Sequence, residues 1–197
     1  MPDSNDIATL IRGLADADPA RRAGAAADFF HRGRGLAHSA TRKWLDDAEF
    51  AACLARGRDG SIEITVGVAV EPETFDRVRA ASGMPRLADV PPDQDAKEFE
   101  LDFPNGARLD VLTTRQPGGS GAIARYLQKF GEGIQQVEIA ASDVDRATEI
   151  LRARFGVEPV YPATRAGADD TRVNFFLVST PAGKKILIEL VESRAKS

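Results

Sequence analysis

The stretch Gln135-Gln-Val-Glu-Ile-Ala140, then Ser142-Asp-Val-Asp-Arg-Ala-Thr-Glu-Ile-Leu-Arg-Ala-Arg-Phe155 and Gly156, decides how the chain is read. Its first part alternates with period two, as a strand with one buried face does. Ser142 and Asp143 then cap a helix that carries Val144, Ala147, Leu151 and Phe155 on one side, and Gly156 ends it. Two further alternating runs follow, Arg172 to Ser179 and Lys185 to Val191, joined by a turn through Pro181-Ala-Gly183.

The same order occurs once before. Ile62 to Val70 alternates, Pro72 to Ser82 forms a helix burying Phe75 and Val78, and Glu98 to Phe103 alternates again. Pro104-Asn-Gly106 is a hairpin turn, since Asn-Gly accepts positive φ, and Ala107 to Thr113 returns with Leu109 and Val111 toward the helices. A duplicated strand-helix-strand unit predicts an α+β fold. Two βαβββ modules, residues 61-115 and 132-192, would form a curved, cup-like mixed sheet. Gly118-Gly-Ser-Gly121 joins them and lacks the lysine of a phosphate loop.

Residues 1-57 read differently, as an Ala- and Arg-rich helical N-terminal segment. Asp18-Pro19 opens a helix, Gly33 and Gly35 weaken it, and a third helix is expected from about Ala40 to Ala55. The stretch from Leu10 to Ala27 resembles a single HEAT-type repeat, which cannot bury its own apolar face and should pack on the sheet domain or a partner. His31 and His38 are read as surface or packing residues and Cys53 as a small buried hydrophobe. Gly57-Arg-Asp-Gly60 reads as a linker.

With 197 residues, 43% hydrophobic and 28% charged, the chain suits one full domain plus a helical appendage. A net charge of −4 argues against nucleic-acid binding, which needs clustered basic residues. No run is long and apolar enough for a membrane, the lone Cys53 cannot form an internal disulfide, and a cytoplasmic location is expected.

Five segments in order carry a family resemblance. They are Thr65-Val-Gly-Val-Ala-Val70, Leu109-Asp-Val-Leu112 leading into Ile123-Ala-Arg-Tyr-Leu127, Gly131-Glu-Gly-Ile-Gln-Gln136, Arg172-Val-Asn-Phe-Phe176 and Leu187-Ile-Glu-Leu-Val191. Across about residues 61 to 192 the chain resembles the vicinal-oxygen-chelate (glyoxalase-like) superfamily, and most closely methylmalonyl-CoA epimerase. The resemblance implies proton abstraction next to a carbonyl, of epimerase, isomerase or lyase type, on a small carbonyl or acyl-thioester substrate. It also implies a metal, whose four ligand positions fall here on Thr65, Asp110, Gln136 and Glu189. Both histidine positions are thus replaced, by Thr65 and Gln136.

Oxygen donors of this kind suit magnesium or manganese, and suit a transition metal poorly. Glu189, Asp110 and Glu98 are the candidate acid, base or ligand residues. Thr65, Gln136, Arg108 and Arg172 are the candidate substrate contacts. An ion-pair network of Asp110 and Glu189 with Arg108 is the structural alternative. A non-catalytic small-molecule-binding protein of the same fold, and an interaction role for the N-terminal helices, remain rival functions. Both a single chain and a homodimer are compatible with the repeat.

Overall fold

The structure is a computed structural model that describes residues 4–193. The described residues form six α-helices and seven strands, an α+β architecture. In chain order these are α1 (Ser4–Leu14), α2 (Pro19–Leu45), α3 (Ala48–Ala52), β1 (Ile64–Ala69), α4 (Pro72–Ala81), β2 (Ala96–Asp102), β3 (Arg108–Thr114), α5 (Ala122–Phe130), β4 (Gly133–Ala140), α6 (Val144–Phe155), β5 (Arg165–Ala166), β6 (Arg172–Ser179) and β7 (Lys185–Glu192). No helix is long and apolar enough to cross a membrane among the described residues.

Contacts divide the chain differently from a split at residues 57–61. One compact unit joins the described residues up to Gly33 with Thr65–Gln135, and the other joins Arg34–Ile64 with the residues from Gln136 onward. The helical segment is therefore shared between the two units, and α2 contributes its first half to one and its second half to the other.

In the first unit the strand order is β2-β3-β1, with β2 antiparallel and β1 parallel to β3. Val66, Val68, Phe99, Leu109 and Val111 are wholly buried. They share one face with Phe75 of α4, which meets Phe99 edge-on at 4.8 Å. α1 lies against α2 closely enough that a Cβ on Gly13 would sit 2.7 Å from that of Ala25, and Arg32 pairs with Asp6 at 2.6 Å. The Asn105 side chain donates to the Ala23 carbonyl at 3.1 Å, tying the β2-β3 turn to α2. Tyr126 of α5 donates its hydroxyl proton to the Ile134 carbonyl at 2.8 Å, which fixes the start of β4.

In the second unit the order is β4-β7-β6-β5. β4 and β7 are parallel, and the remaining pairs are antiparallel. The Asp143 side chain accepts from the Arg146 N–H and Gly156 ends α6 in the left-handed region, as the residue pattern predicts. Trp44, at the end of α2, packs edge-on against Phe50 and Phe176. Arg154 of α6 reaches Asp47 at 2.8 Å and also Glu49, so α3 is held to α6 by charge.

Several expectations are corrected. There is no helix from Ala40 to Ala55: α2 runs unbroken to Leu45, and Asp47 caps the short α3 by accepting from the Glu49 and Phe50 N–H groups. Gly33 does not weaken α2 but lets it approach β1, since a Cβ there would lie 2.6 Å from both γ-carbons of Val66. The expected linker closes as a turn, with the Gly57 N–H donating to the Ser61 carbonyl at 2.9 Å. The second repeat is βαβββ, whereas the first shows only β1, β2 and β3. Where a fourth strand would fall, Pro85, Pro91 and Pro92 remove ladder donors, leaving a bond from the Ala88 N–H to the Glu98 carbonyl.

Two predictions follow from packing and burial. Gly33→Ala should destabilise the protein by about 1–3 kcal/mol, because buried Val66 has no room to yield. Gly35→Ala, with open space around it, should stabilise by up to about 1 kcal/mol. Urea unfolding of the two variants checks both. Burial raises the Tyr126 phenol from 10.0 to about 12. The unfolded chain therefore ionises before the folded one, and stability should be lost as pH climbs from 10 toward 12. That share of the alkaline loss should be missing in Tyr126→Phe, measured as urea midpoints against pH.

Candidate functional site

The second unit carries its polar chemistry on one face of β4, β7 and β6. Glu138 lies opposite Glu189 in the β4-β7 register, and Phe175 lies opposite Glu189 in the β6-β7 register. Directly opposed residues project to the same side, so Gln136, Glu138, Glu189 and Phe175 share a face. Val137, Ile139, Ile188 and Leu190 occupy the other and are buried beneath α6. Glu189 retains 7% exposure and Gln136 6%. A carboxylate so enclosed costs several kcal/mol unless a donor meets it. Gln136 is that donor: its Nε2 lies 2.5 Å from Glu189 Oε2 and 3.2 Å from Glu138 Oε1. One amide thus serves two neighbouring carboxylates, and Gln136 and Glu189 come together as the sequence pattern implied.

In the first unit, Asp110 sits opposite Glu100 on β2 and Gly67 on β1, and Glu98 sits opposite Leu112. Thr65, two residues before Gly67, lies on the same side. Thr65 and Asp110 are buried at 7% and 3% exposure, and Glu98 is half-buried. Arg108 is on this face as well, its Nε 3.2 Å from Asp102 Oδ1 across the hairpin. Thr65, Asp110, Glu98 and Arg108 are thus brought to one face of the first unit.

Arg172 is a correction. It lies opposite Glu192 on the helix side of β6, not on the face of Glu189. There it binds Asp145 of α6 and, at 3.2 Å, Glu192. Hydrogen bonds from Thr164 and then from Arg172 hold the Asp145 carboxyl below its usual range, and Asp145 in turn raises the Arg172 guanidinium. These bonds account for Arg172 as a tie between strand and helix. Its place before Val-Asn-Phe-Phe in the chain did not reveal which face it takes.

Two residues on the Glu189 face, Arg165 and Tyr161, were missed. Arg165 lies opposite Val173, two residues before Phe175, and so shares that side. Its guanidinium carbon sits 4.3 Å from the centre of the Tyr161 ring, and that ring meets Phe175 edge-on at 6.0 Å. The Val160 N–H donates to the Phe175 carbonyl at 2.7 Å, anchoring the segment to β6. A two-residue strand has no period to read. Tyr161 and Arg165 offered no signal beyond their residue types.

The donor chemistry does not suit a transition metal. Among the described residues no strand carries a histidine or a cysteine, and His31 and His38 are exposed on α2. No group of three or more His, Cys, Asp or Glu side chains is placed to hold a metal ion among the described residues. In the second unit the Glu189 carboxylate already accepts from an amide N–H, which cannot itself ligate a cation. The ligand set of Thr65, Asp110, Gln136 and Glu189 with magnesium or manganese is therefore not carried into the chemistry below.

No protein-family model matches the chain, and no curated protein matches it. Solved structures do. A methylmalonyl-CoA epimerase from Mycobacterium tuberculosis is 30% identical over 69% of this chain and 89% of its own, with a TM-score of 0.55. A methylmalonyl-CoA epimerase in complex with methylmalonyl-CoA and NH4+ is 28% identical over 72% of this chain and 96% of its own, at 0.54. A variant of the Streptomyces coelicolor epimerase in complex with 2-nitronate-propionyl-CoA is 28% identical over 68% and 95%, also at 0.54. Identity of 30% over 69% of this chain and 89% of the Mycobacterium tuberculosis enzyme places the chain in the glyoxalase-like, vicinal-oxygen-chelate family.

Proposed function

We propose that the protein removes and returns a proton next to the carbonyl of an acyl thioester, as an epimerase of methylmalonyl-CoA type. The observation that carries this reading is the buried Glu189, held by Gln136 on the polar face of β4, β7 and β6. It stands in a chain similar to epimerases over nearly their whole length. In the reaction, the bond from the α-carbon to hydrogen breaks and the proton passes to the Glu189 carboxylate. The electron pair moves to the thioester oxygen as an enolate. Delivery of a proton to the opposite face completes the inversion.

Gln136 keeps Glu189 oriented through the 2.5 Å bond. The chemistry assigned to these residues uses no metal. The donor set also favours a second reading, in which the same face binds an acyl thioester and turns nothing over.

Exchange of the α-hydrogen of methylmalonyl-CoA in deuterated buffer, followed by NMR, tests the first reading. Wild-type protein should exchange it well above the buffer rate, and Glu189→Gln should lower the rate by about 10²–10⁴-fold. Absence of exchange, with methylmalonyl-CoA still raising the melting temperature, would establish the binding reading instead. Dialysis against a chelator should leave the exchange rate unchanged. Loss of exchange on chelation, restored by a divalent ion, would show the donor-set argument to be wrong.

A further inference from the structure

We propose that the outer edge of β6 from Leu177 to Ser179, with the cleft beside it, is a docking site for an extended acidic peptide segment of another protein. Neither Glu189 nor Gln136 takes part, so the site is independent of the epimerase reading. In an antiparallel ladder, alternate residues turn both backbone groups toward the partner strand and the others turn theirs away. The Thr180 N–H donates to the Lys184 carbonyl at 2.7 Å across the β6-β7 turn. By the same period Val178, Phe176 and Asn174 face β7, and Phe175, Leu177 and Ser179 point their N–H and C=O groups outward.

The outward groups of β6 are satisfied at one end only. β5 covers Arg172 and Val173. The Phe175 carbonyl accepts from the Val160 N–H at 2.7 Å, and the Phe175 N–H donates to Asn174 Oδ1 at 3.0 Å. Those of Leu177 and Ser179 have no hydrogen-bond partner among the described residues. An unpaired edge is a template for another strand. Beside it lies a cleft of about 360 Å³, whose lining includes Trp44, Val157, Glu158, Leu177, Val178 and Ser179. All of these belong to the second unit. Leu177 is a large apolar side chain left 53% exposed. A strand laid along the edge would cover it.

Charge selects the occupant. Lys185 lies opposite Ser179 in the β6-β7 register and so projects to the same side. Lys184 adjoins it in the turn, and both lysines are exposed. Neither has an ion pair among the described residues. The acid in the cleft lining, Glu158, is already paired with Arg152 at 3.0 Å. The Ser179 end of the edge is therefore positive. Antiparallel addition puts the N-terminal end of the incoming segment there, so its acidic residues come first and its alternating apolar residues follow. Two outward residues span about 7 Å along the strand. A stable dimer engages roughly 20–30 residues a side, so a short peptide suits this edge and a second copy does not.

NMR titration of the full chain with the N-acetylated peptide Glu-Glu-Val-Thr-Val-Thr tests the assignment. Wild type should show saturable amide shifts centred on Leu177 and Ser179, with slower hydrogen exchange at both. Leu177→Lys should weaken binding about ten-fold. Lys185→Glu should weaken it about three-fold, and by less at high salt. The valines would lie opposite Leu177 and Ser179, so methylating their backbone nitrogens should weaken binding about five-fold or more.

A peptide that leaves Leu177 and Ser179 unshifted up to its solubility limit would overturn the proposal. Equal binding of Lys-Lys-Val-Thr-Val-Thr would overturn the acidic assignment. Sedimentation that shows a dimer, dissociated by Leu177→Lys, would overturn it as well, because a second copy would then occupy the edge. Should Leu177→Lys fail to fold, Lys185→Glu and the methylated peptide give the same readout. None of these results bears on exchange of the α-hydrogen.

Discussion

A parallel pair of strands places a glutamine amide against a carboxylate that water barely reaches, and the rest of the account follows from that bond. Glu189 keeps only 7% exposure, and Gln136 donates to it at 2.5 Å. The contact exists only in one register. A slip of a single residue between β4 and β7 would turn Glu189 toward α6 and bring Ile188 or Leu190 to the polar side. What prevents the slip is the opposite face, where Val137, Ile139, Ile188 and Leu190 are buried at 1% exposure or less. The apolar side of the sheet thus fixes the geometry of the polar side. Asp143 and Gly156 set the ends of the helix that covers it.

Local alternation and capping made most of this legible from residues alone. β6 and β7 are found almost to the residue, and α6 lies between the cap and the stop that its sequence carries. Gln136 and Glu189 could be placed on one face because period two leaves no other choice. What stayed hidden depends on partners distant in the chain. Gly33 reads locally as a helix breaker, yet it answers to Val66, thirty-three positions away, so one long helix replaced two shorter ones. Arg172 belongs to the helix face because Asp145 and Glu192 wait there. Arg165 sits on a strand too short to show a period, and no spacing announces its place beside the Tyr161 ring.

The residues that occupy the ligand positions of the family resemblance change what the site can do. Glutamine at position 136 orients a carboxylate through an N–H, where an imidazole nitrogen would offer a lone pair to a metal. In the proposed reaction, stabilisation of the enolate would fall to hydrogen-bond donors and fixed charge, which act strongly where water is excluded.

An experimental structure of the protein with methylmalonyl-CoA bound is the measurement closest to this claim. The account predicts the α-carbon within about 3.5 Å of a Glu189 carboxylate oxygen, with the Gln136 bond still in place. A thioester bound elsewhere on the molecule, with Glu189 and Gln136 bonded to each other and touching no part of it, would contradict the account.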